Sequence, residues 1–281
     1  FLLIFIIEFI LFLTVYICQK QFPWIITRSS IAPKFNEGII AKFIKNNFDP
    51  ELGWAPKPFN TGSDKTAQGI KSYSINEDGC RSNPGFDNKS SMISVFGDSY
   101  SFGRLVDDRE TWAHLLSKEM GTNVKNFSVG NYGFDQALLR VRKEIDNLDS
   151  EVIIINIVPE SISRIHSYWK HYFEYGNILA FKPIYKMEDQ KLKLYKPFIK
   201  NKSDFFELES RQSEITELDI FYRSKFLKDI LSFPFFLSIF KSRDRNLLLI
   251  KEILKGLISG NKEIAYRNAF NIVIQKNAEH S

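Results

Sequence analysis

From residue 91 onward, short apolar runs alternate with amphipathic stretches, and this alternation constrains the fold more than anything else in the chain. Met92-Ile93-Ser94-Val95-Phe96 reads as a strand. A helix follows over about 109–120, opened by Asp107-Asp108-Arg109-Glu110, and a second strand runs from Val124 to Val129. A second helix, near Phe134 to Asn147, repeats apolar residues at Ala137, Leu138, Val141 and Ile145. Val152-Ile153-Ile154-Ile155 is a third strand, continuously apolar as a strand covered on both faces should be. Strand, helix, strand, helix, strand with short links implies a parallel sheet with right-handed crossovers, so the expected class is α/β.

The first strand runs directly into Gly97-Asp98-Ser99. A tight glycine turn there holds the next side chains up at the sheet's carboxyl edge, where open α/β sheets bind ligands. A serine in that position, with backbone N–H groups beside it, is placed to attack a carbonyl. An ordinary strand-to-helix turn with Asp98 or Ser99 as the cap uses the same residues.

Composition narrows the function classes. The net charge of +5 is modest and the lysines are spread along all 281 residues, whereas a nucleic-acid binder concentrates them on one helix or stripe. With only Cys18 and Cys80, neither a disulfide framework nor a zinc site is expected. No glycine-rich phosphate loop is present, so neither a nucleotide nor any other cofactor is expected, and no metal.

Residues 1–18 are apolar except for Glu8 and Thr14, a length at the lower edge of what crosses a bilayer. The expectation is a single-pass membrane anchor, its side undetermined. Burial in a soluble core and a signal peptide are the competing readings, and Glu8 is costly near the bilayer centre. Residues 19–90 read as a connector and a β-rich lead-in: Pro23, Pro33 and Pro50 surround an amphipathic piece at 38–45, and turn formers dominate 51–90. Ser72-Tyr73-Ser74-Ile75 is a strand entering the turn at Asn76-Glu77-Asp78-Gly79. Residues 91–281 form the α/β domain, expected to be incomplete at its carboxyl end. Within it, 166–200 is crowded with aromatics, among them Tyr168, Trp169, Tyr172, Phe181 and Tyr195; these either line a sugar-binding groove or fill a core. Residues 201–218 read as loop, and helices are expected at 221–232, 245–259 and 262–276. Phe233-Pro234-Phe235-Phe236-Leu237 either touches lipid or is a buried helix junction.

The Gly97-Asp98-Ser99 turn, followed some thirty residues later by Asn126-Phe127-Ser128-Val129-Gly130-Asn131-Tyr132-Gly133-Phe134-Asp135-Gln136, resembles the SGNH/GDSL hydrolases. The closer likeness is to membrane-anchored members found with bacterial polysaccharide genes. Leu52-Gly53-Trp54, Ile75 through Arg81, and Phe181-Lys182-Pro183-Ile184-Tyr185 resemble their flanking blocks, so the likeness covers roughly residues 50 to 200. It implies a flavodoxin-like three-layer α/β/α fold with Ser99 as nucleophile. It also implies an oxyanion hole drawn from Ser99's own N–H, a backbone N–H at Gly130–Asn131, and a side chain at position 161. The substrate class implied is the acyl esters of a cell-envelope glycan or a small ester.

Two positions depart from the family pattern. Asn131 stands at the second-block glycine, where a backbone donor survives because Asn tolerates the left-handed conformation. Ser161 stands at the third-block asparagine, and a hydroxyl reaches less far than an amide. The family's Asp-x-x-His pair is missing: no Asp in the chain is followed by His three positions on. His114, His166 and His171 lie elsewhere, and His280, in Asn277-Ala278-Glu279-His280, imitates the spacing with the wrong first residue. The sequence therefore points to a serine esterase or O-acyltransferase whose base lies outside this chain. The alternatives are an inactive glycan-binding module and, less directly, an anchored scaffold whose aromatic segment contacts a partner protein.

Overall fold

A computed structural model describes residues 2–20, 25–66, 69–241 and 243–260. The chain divides into two compact units that interleave along the sequence. The sheet unit comprises Asn36–His166 and Phe181–Phe205; the helical unit comprises Phe1–Phe35, Ser167–Ala180 and Phe206–Ser281.

The sheet unit opens with helix α2 (Glu37–Asn46), capped by the Asn36 side chain accepting from Ile39 N–H. Two-residue strands β1 (Phe48–Asp49) and β2 (Gly53–Trp54) pair antiparallel, and Asp49 Oδ1 accepts from Glu51 and Leu52 N–H to shape the turn. Strands β3 (Thr61–Thr66) and β4 (Gly69–Ser74) form a second antiparallel pair. The centre of the unit is a parallel sheet of β5 (Ser91–Phe96), β6 (Asn123–Asn126) and β7 (Val152–Ile155), in the order β6–β5–β7. Parallel neighbours need crossovers. Those are supplied by α3 (Ser99–Phe102) with α4 (Trp112–Met120), and by α5 (Phe134–Glu144). Thr111 caps α4 by accepting from His114 N–H, and Gly121 at φ 70° ends it in the left-handed region that suits glycine. Ile93 and Val95 pack with Ala113 of α4, while Phe96 packs with Phe127, Cys80 and Val141 of α5. Successive strand residues point to opposite faces, so each face of β5 has its own helix. Burying a side chain such as Val95 or Phe96 completely stabilises the unit by about 1.5–3 kcal/mol.

The α/β expectation holds, as a three-strand parallel sheet flanked by helices. One detail is corrected: β7 was expected to be covered on both faces, yet it is an edge strand with Val152 46% and Ile154 37% exposed. After β7 come α6 (Pro159–Ser163) and, at the end of the unit, the hairpin β8 (Ile184–Glu188) and β9 (Lys191–Tyr195), turned by Asp189 and Gln190 at positive φ.

The helical unit begins with α1 (Leu2–Cys18), followed later by α7 (Lys170–Phe173), α8 (Gln212–Leu218), a π-helical turn at Tyr222–Phe226 running into α9 (Leu227–Asp229), α10 (Phe235–Lys241) and α11 (Arg243–Ser259). Asp219 organises its core, accepting from Tyr168, Trp169 and Phe221 N–H and from the Ser167 hydroxyl. Burial pushes that carboxyl up to about 6, against those four donors. Tyr168, Trp169 and Tyr172 are fully buried here. Of the two readings open for this segment, a groove lining or a core, the rings at 168–173 take the second. Residues 201–218, expected as loop, contain a 3-10 turn at Ser203–Glu207 and helix α8. The expected helix at 262–276 lies outside the described residues.

The expected single-pass anchor falls on α1. Its 17 residues rise about 25 Å along the helix axis. Among the described residues no helix is long and apolar enough to cross a membrane.

Candidate functional site

Three chain segments converge where the parallel strands end. Beyond β5, Gly97 O accepts from Val129 N–H at 3.0 Å, and Phe96 O accepts from Asn156 N–H at 2.9 Å. Ladder hydrogen bonds thus carry the 97–99 turn, the 127–131 loop and the start of the 156–161 loop out of the sheet side by side. Ser99, Gly130–Asn131 and Asn156 all emerge at this one edge.

Gly97 is required by close approach. A Cβ there would lie 2.7 Å from Ser101 Oγ and 3.0 Å from Asn156 Cβ. Asp98 caps α3, its Oδ1 accepting from Tyr100 N–H at 3.0 Å. Its Oδ2 is buried, makes no hydrogen bond among the described residues, and faces Arg164 Nη1 at 3.7 Å. Burial holds the Asp98 carboxyl above its ordinary value, with the Tyr100 N–H and Arg164 pulling the other way and Glu160 adding to the rise. Ser99 is the first residue of α3 and half-buried; its hydroxyl makes no hydrogen bond among the described residues. A groove of about 450 Å³ adjoins it, lined by Tyr100, Ser101, Trp112, Val95 and residues 154–157.

The second segment turns at Val129–Tyr132, closed by Tyr132 N–H to Val129 O at 3.3 Å. Asn131 takes φ 71°, the left-handed conformation that the sequence reading requires of it. The Gly130 carbonyl is held by Trp54 Nε1 at 3.1 Å, while the N–H groups of Gly130 and Asn131 make no hydrogen bond among the described residues. Arg164 also donates to Tyr132 O at 3.3 Å, so one guanidinium faces both the 97–99 turn and this loop.

In the third segment Ser161 is buried, but its hydroxyl donates to Val158 O at 2.7 Å and accepts from Val158 N–H at 3.0 Å. Its proton is used in capping α6. Asn156, not singled out from the sequence, stands closer to Gly97, and its side-chain amide has no partner among the described residues. The signal that would have found it is its position one residue past the third strand.

No histidine contacts Ser99 among the described residues. His114 is buried with Nδ1 2.8 Å from Asn83 Oδ1, and burial lowers its pKa. His171, in the helical unit, accepts from Gly176 N–H at Nδ1 and donates from Nε2 to Ser30 O; burial pushes it down to about 4. Both are structural. His166 is exposed, and His280 lies outside the described residues. Also among the described residues, no cluster of His, Cys, Asp or Glu is built to hold a metal.

The sequence blocks that flank the serine turn meet around the same edge. Gln136 caps α5 by accepting from Gly133 N–H and donates to Leu52 O; Tyr132 OH donates to Trp54 O at 2.6 Å. Lys182 reaches Asp135 at 2.5 Å, with both side chains almost fully buried. Arg81 fastens the loop after α3 through the carbonyls of Phe102, Gly103 and Val106 and through Asp108. No protein-family model matches this chain, and no curated protein matches it.

Proposed function

We propose that this chain is the SGNH/GDSL-type serine esterase or O-acyltransferase unit that its sequence resembles, of three-layer α/β/α type, acting on acyl esters of a cell-envelope glycan or a related small ester. In this reading Ser99 Oγ attacks the acyl carbonyl, the ester C–O bond breaks, and the alcohol leaves with a proton. The resulting acyl-enzyme passes its acyl group to water or to a sugar hydroxyl. Ser99, Gly130 and Asn131 would donate backbone N–H groups to the oxyanion, a class of interaction worth about 3 kcal/mol per donor. Asn156 is a better side-chain donor than Ser161, whose proton is already spent. The apolar part of the adjoining groove suits an acyl chain, and α1 suits attachment to a membrane.

The observation that carries the reading is the convergence of the Gly97-Asp98-Ser99 and Gly130–Asn131 turns at one sheet edge, with N–H groups left unpaired beside a serine. The test is covalent labelling of a full-length version by a fluorophosphonate, with Ser99→Ala beside it. Labelling that disappears in Ser99→Ala supports the assignment, and equal labelling of both overturns it. Absence of labelling in either protein favours the second reading, an inactive glycan-binding module. That reading draws on there being no histidine at Ser99 among the described residues and on the self-contained hydrogen bonds of Ser161.

A further inference from the structure

Glu8, the one charge in the apolar amino-terminal helix, is buried, and its carboxylate accepts from Phe235 N–H at 2.7 Å and Phe236 N–H at 3.0 Å. These are the first two residues of α10. The side chain that argues against α1 lying in lipid is thus spent capping a second apolar helix. The rest of α1 behaves consistently. Glu8, Leu11, Val15 and Cys18, spaced as one narrow seam, are its covered side; around the remaining circumference Leu2, Phe5, Phe9, Ile10, Leu13 and Ile17 are exposed. A helix that is apolar on every open side fits a medium rather than a groove, since a docked protein covers only one side. Thr14 bonds back to Ile10 O, as hydrocarbon demands of a polar side chain. Lys20 folds back over the Tyr16 ring at 4.3 Å, the posture of a cation reaching for an anionic headgroup from an interfacial aromatic.

The path of the second segment follows from two anchor points. Leu231 pairs with Ile26 and Thr27, beyond the end of α1, whereas Phe235 and Phe236 sit at Glu8 and Phe12. Phe233, Leu237 and Phe240 are exposed along the way, at 70%, 51% and 65%, and Lys241 ends the helix. We propose that Phe233–Phe240 enters the lipid bilayer beside α1 as a short re-entrant element, with Glu8 as its internal cap. The two N–H groups at its tip would otherwise be orphaned in hydrocarbon, at several kcal/mol each. The proposal rests on α1 lying in lipid and concerns only the helical unit.

The test uses the full chain with Cys18→Ser, in vesicles of phosphatidylcholine and phosphatidylglycerol; Cys80 is buried and takes no label. Nitroxide labels are placed singly through Phe5→Cys, Leu237→Cys and, as an aqueous control in the sheet unit, Leu192→Cys. Relaxation by oxygen against a water-soluble nickel chelate reads depth. Labels at 5 and 237 should both favour oxygen several-fold over the label at 192. Adding Glu8→Leu should return position 237 to the aqueous value, while Glu8→Gln, which keeps an acceptor, should not. An aqueous label at 237 with a lipid label at 5 overturns the re-entrant element and leaves α1 in lipid. An aqueous label at 5 overturns the membrane reading itself, and a second copy covering α1 would then show as a dimer in detergent-free solution. If Glu8→Leu does not fold, the labels in the parent chain decide alone.

Discussion

Both units bury charged side chains, but to different ends. In the sheet unit two buried charges join segments far apart in sequence: Lys182 to Asp135, and Arg81 to Asp108 and three carbonyls. In the helical unit Lys225, Asp229 and Arg245 are buried around Tyr175, yet Lys225 Nζ makes no hydrogen bond and sits 3.6 Å over the ring. The same unit turns Leu247, Leu254 and Ile258 of α11 outward. One interior is a set of fasteners around a sheet edge, and the other is a polar seam under apolar faces. Buried charge is not one kind of evidence: hydrogen-bonded, it specifies geometry; buried without a hydrogen bond, as at Lys225, it makes stability depend on proton activity.

The largest test of this contrast is Lys182→Met. It leaves the Asp135 carboxylate buried without its cation, which should cost about 3–5 kcal/mol in chemical denaturation. Adding Asp135→Asn should recover most of that loss. A single-variant cost below about 1 kcal/mol would mean that the pair does not fasten the 181–185 segment to α5.

The counterpart in the helical unit is a pH effect of about 2 kcal/mol. Burial pulls the Lys225 ammonium down to about 7, with Arg245 adding to the fall while Asp229 and Glu174 oppose it. Between that value and the roughly 10.4 of an unfolded lysine, the unfolded chain binds a proton that the folded chain has released. Stability therefore rises as pH climbs from about 7. Above about pH 10 the Tyr175 phenol, which burial raises well beyond its ordinary value, works in the opposite sense. The difference between the parent chain and Lys225→Met, followed from pH 7 to 9.5, should show the rise in the parent only. Parallel curves would remove Lys225 from the account.

How far the sequence revealed these regions follows from the range of the interactions. Strands β5 and β7 and helices α4 and α5 were legible because their patterns, apolar runs and helical spacings, are local. The left-handed Asn131 was legible for the same reason. The use of Ser161's hydroxyl was not, because it depends on where Val158 O points. Nor was the turn of Arg164 toward Asp98 and Tyr132, both far from it in sequence. The partner of Glu8 lies 227 residues away, beyond any periodicity. The aromatics at 168–181 looked like one cluster, yet Trp169 and Phe181 fall in different units because the chain changes unit at Phe181.

The smallest expected effect is the most discriminating one for the sheet edge. Gly97 has no positive φ to protect, so Gly97→Ala tests packing alone: its methyl would meet Ser101 Oγ at 2.7 Å and Asn156 Cβ at 3.0 Å. Overpacking at such a site costs about 1 kcal/mol when a hydroxyl can rotate away. The two obstacles differ, however, because Asn156 is held by its N–H bond to Phe96 and cannot retreat without lengthening that bond. Ser101→Ala should therefore relieve only part of the loss, giving a coupling of about 0.5 kcal/mol in a double-mutant cycle. Labelling at Ser99 should fall by more than the stability change explains, since strain at Gly97 displaces the turn that carries the hydroxyl. A Gly97→Ala protein that labels like the parent would show that the 97–99 turn does not depend on this close packing.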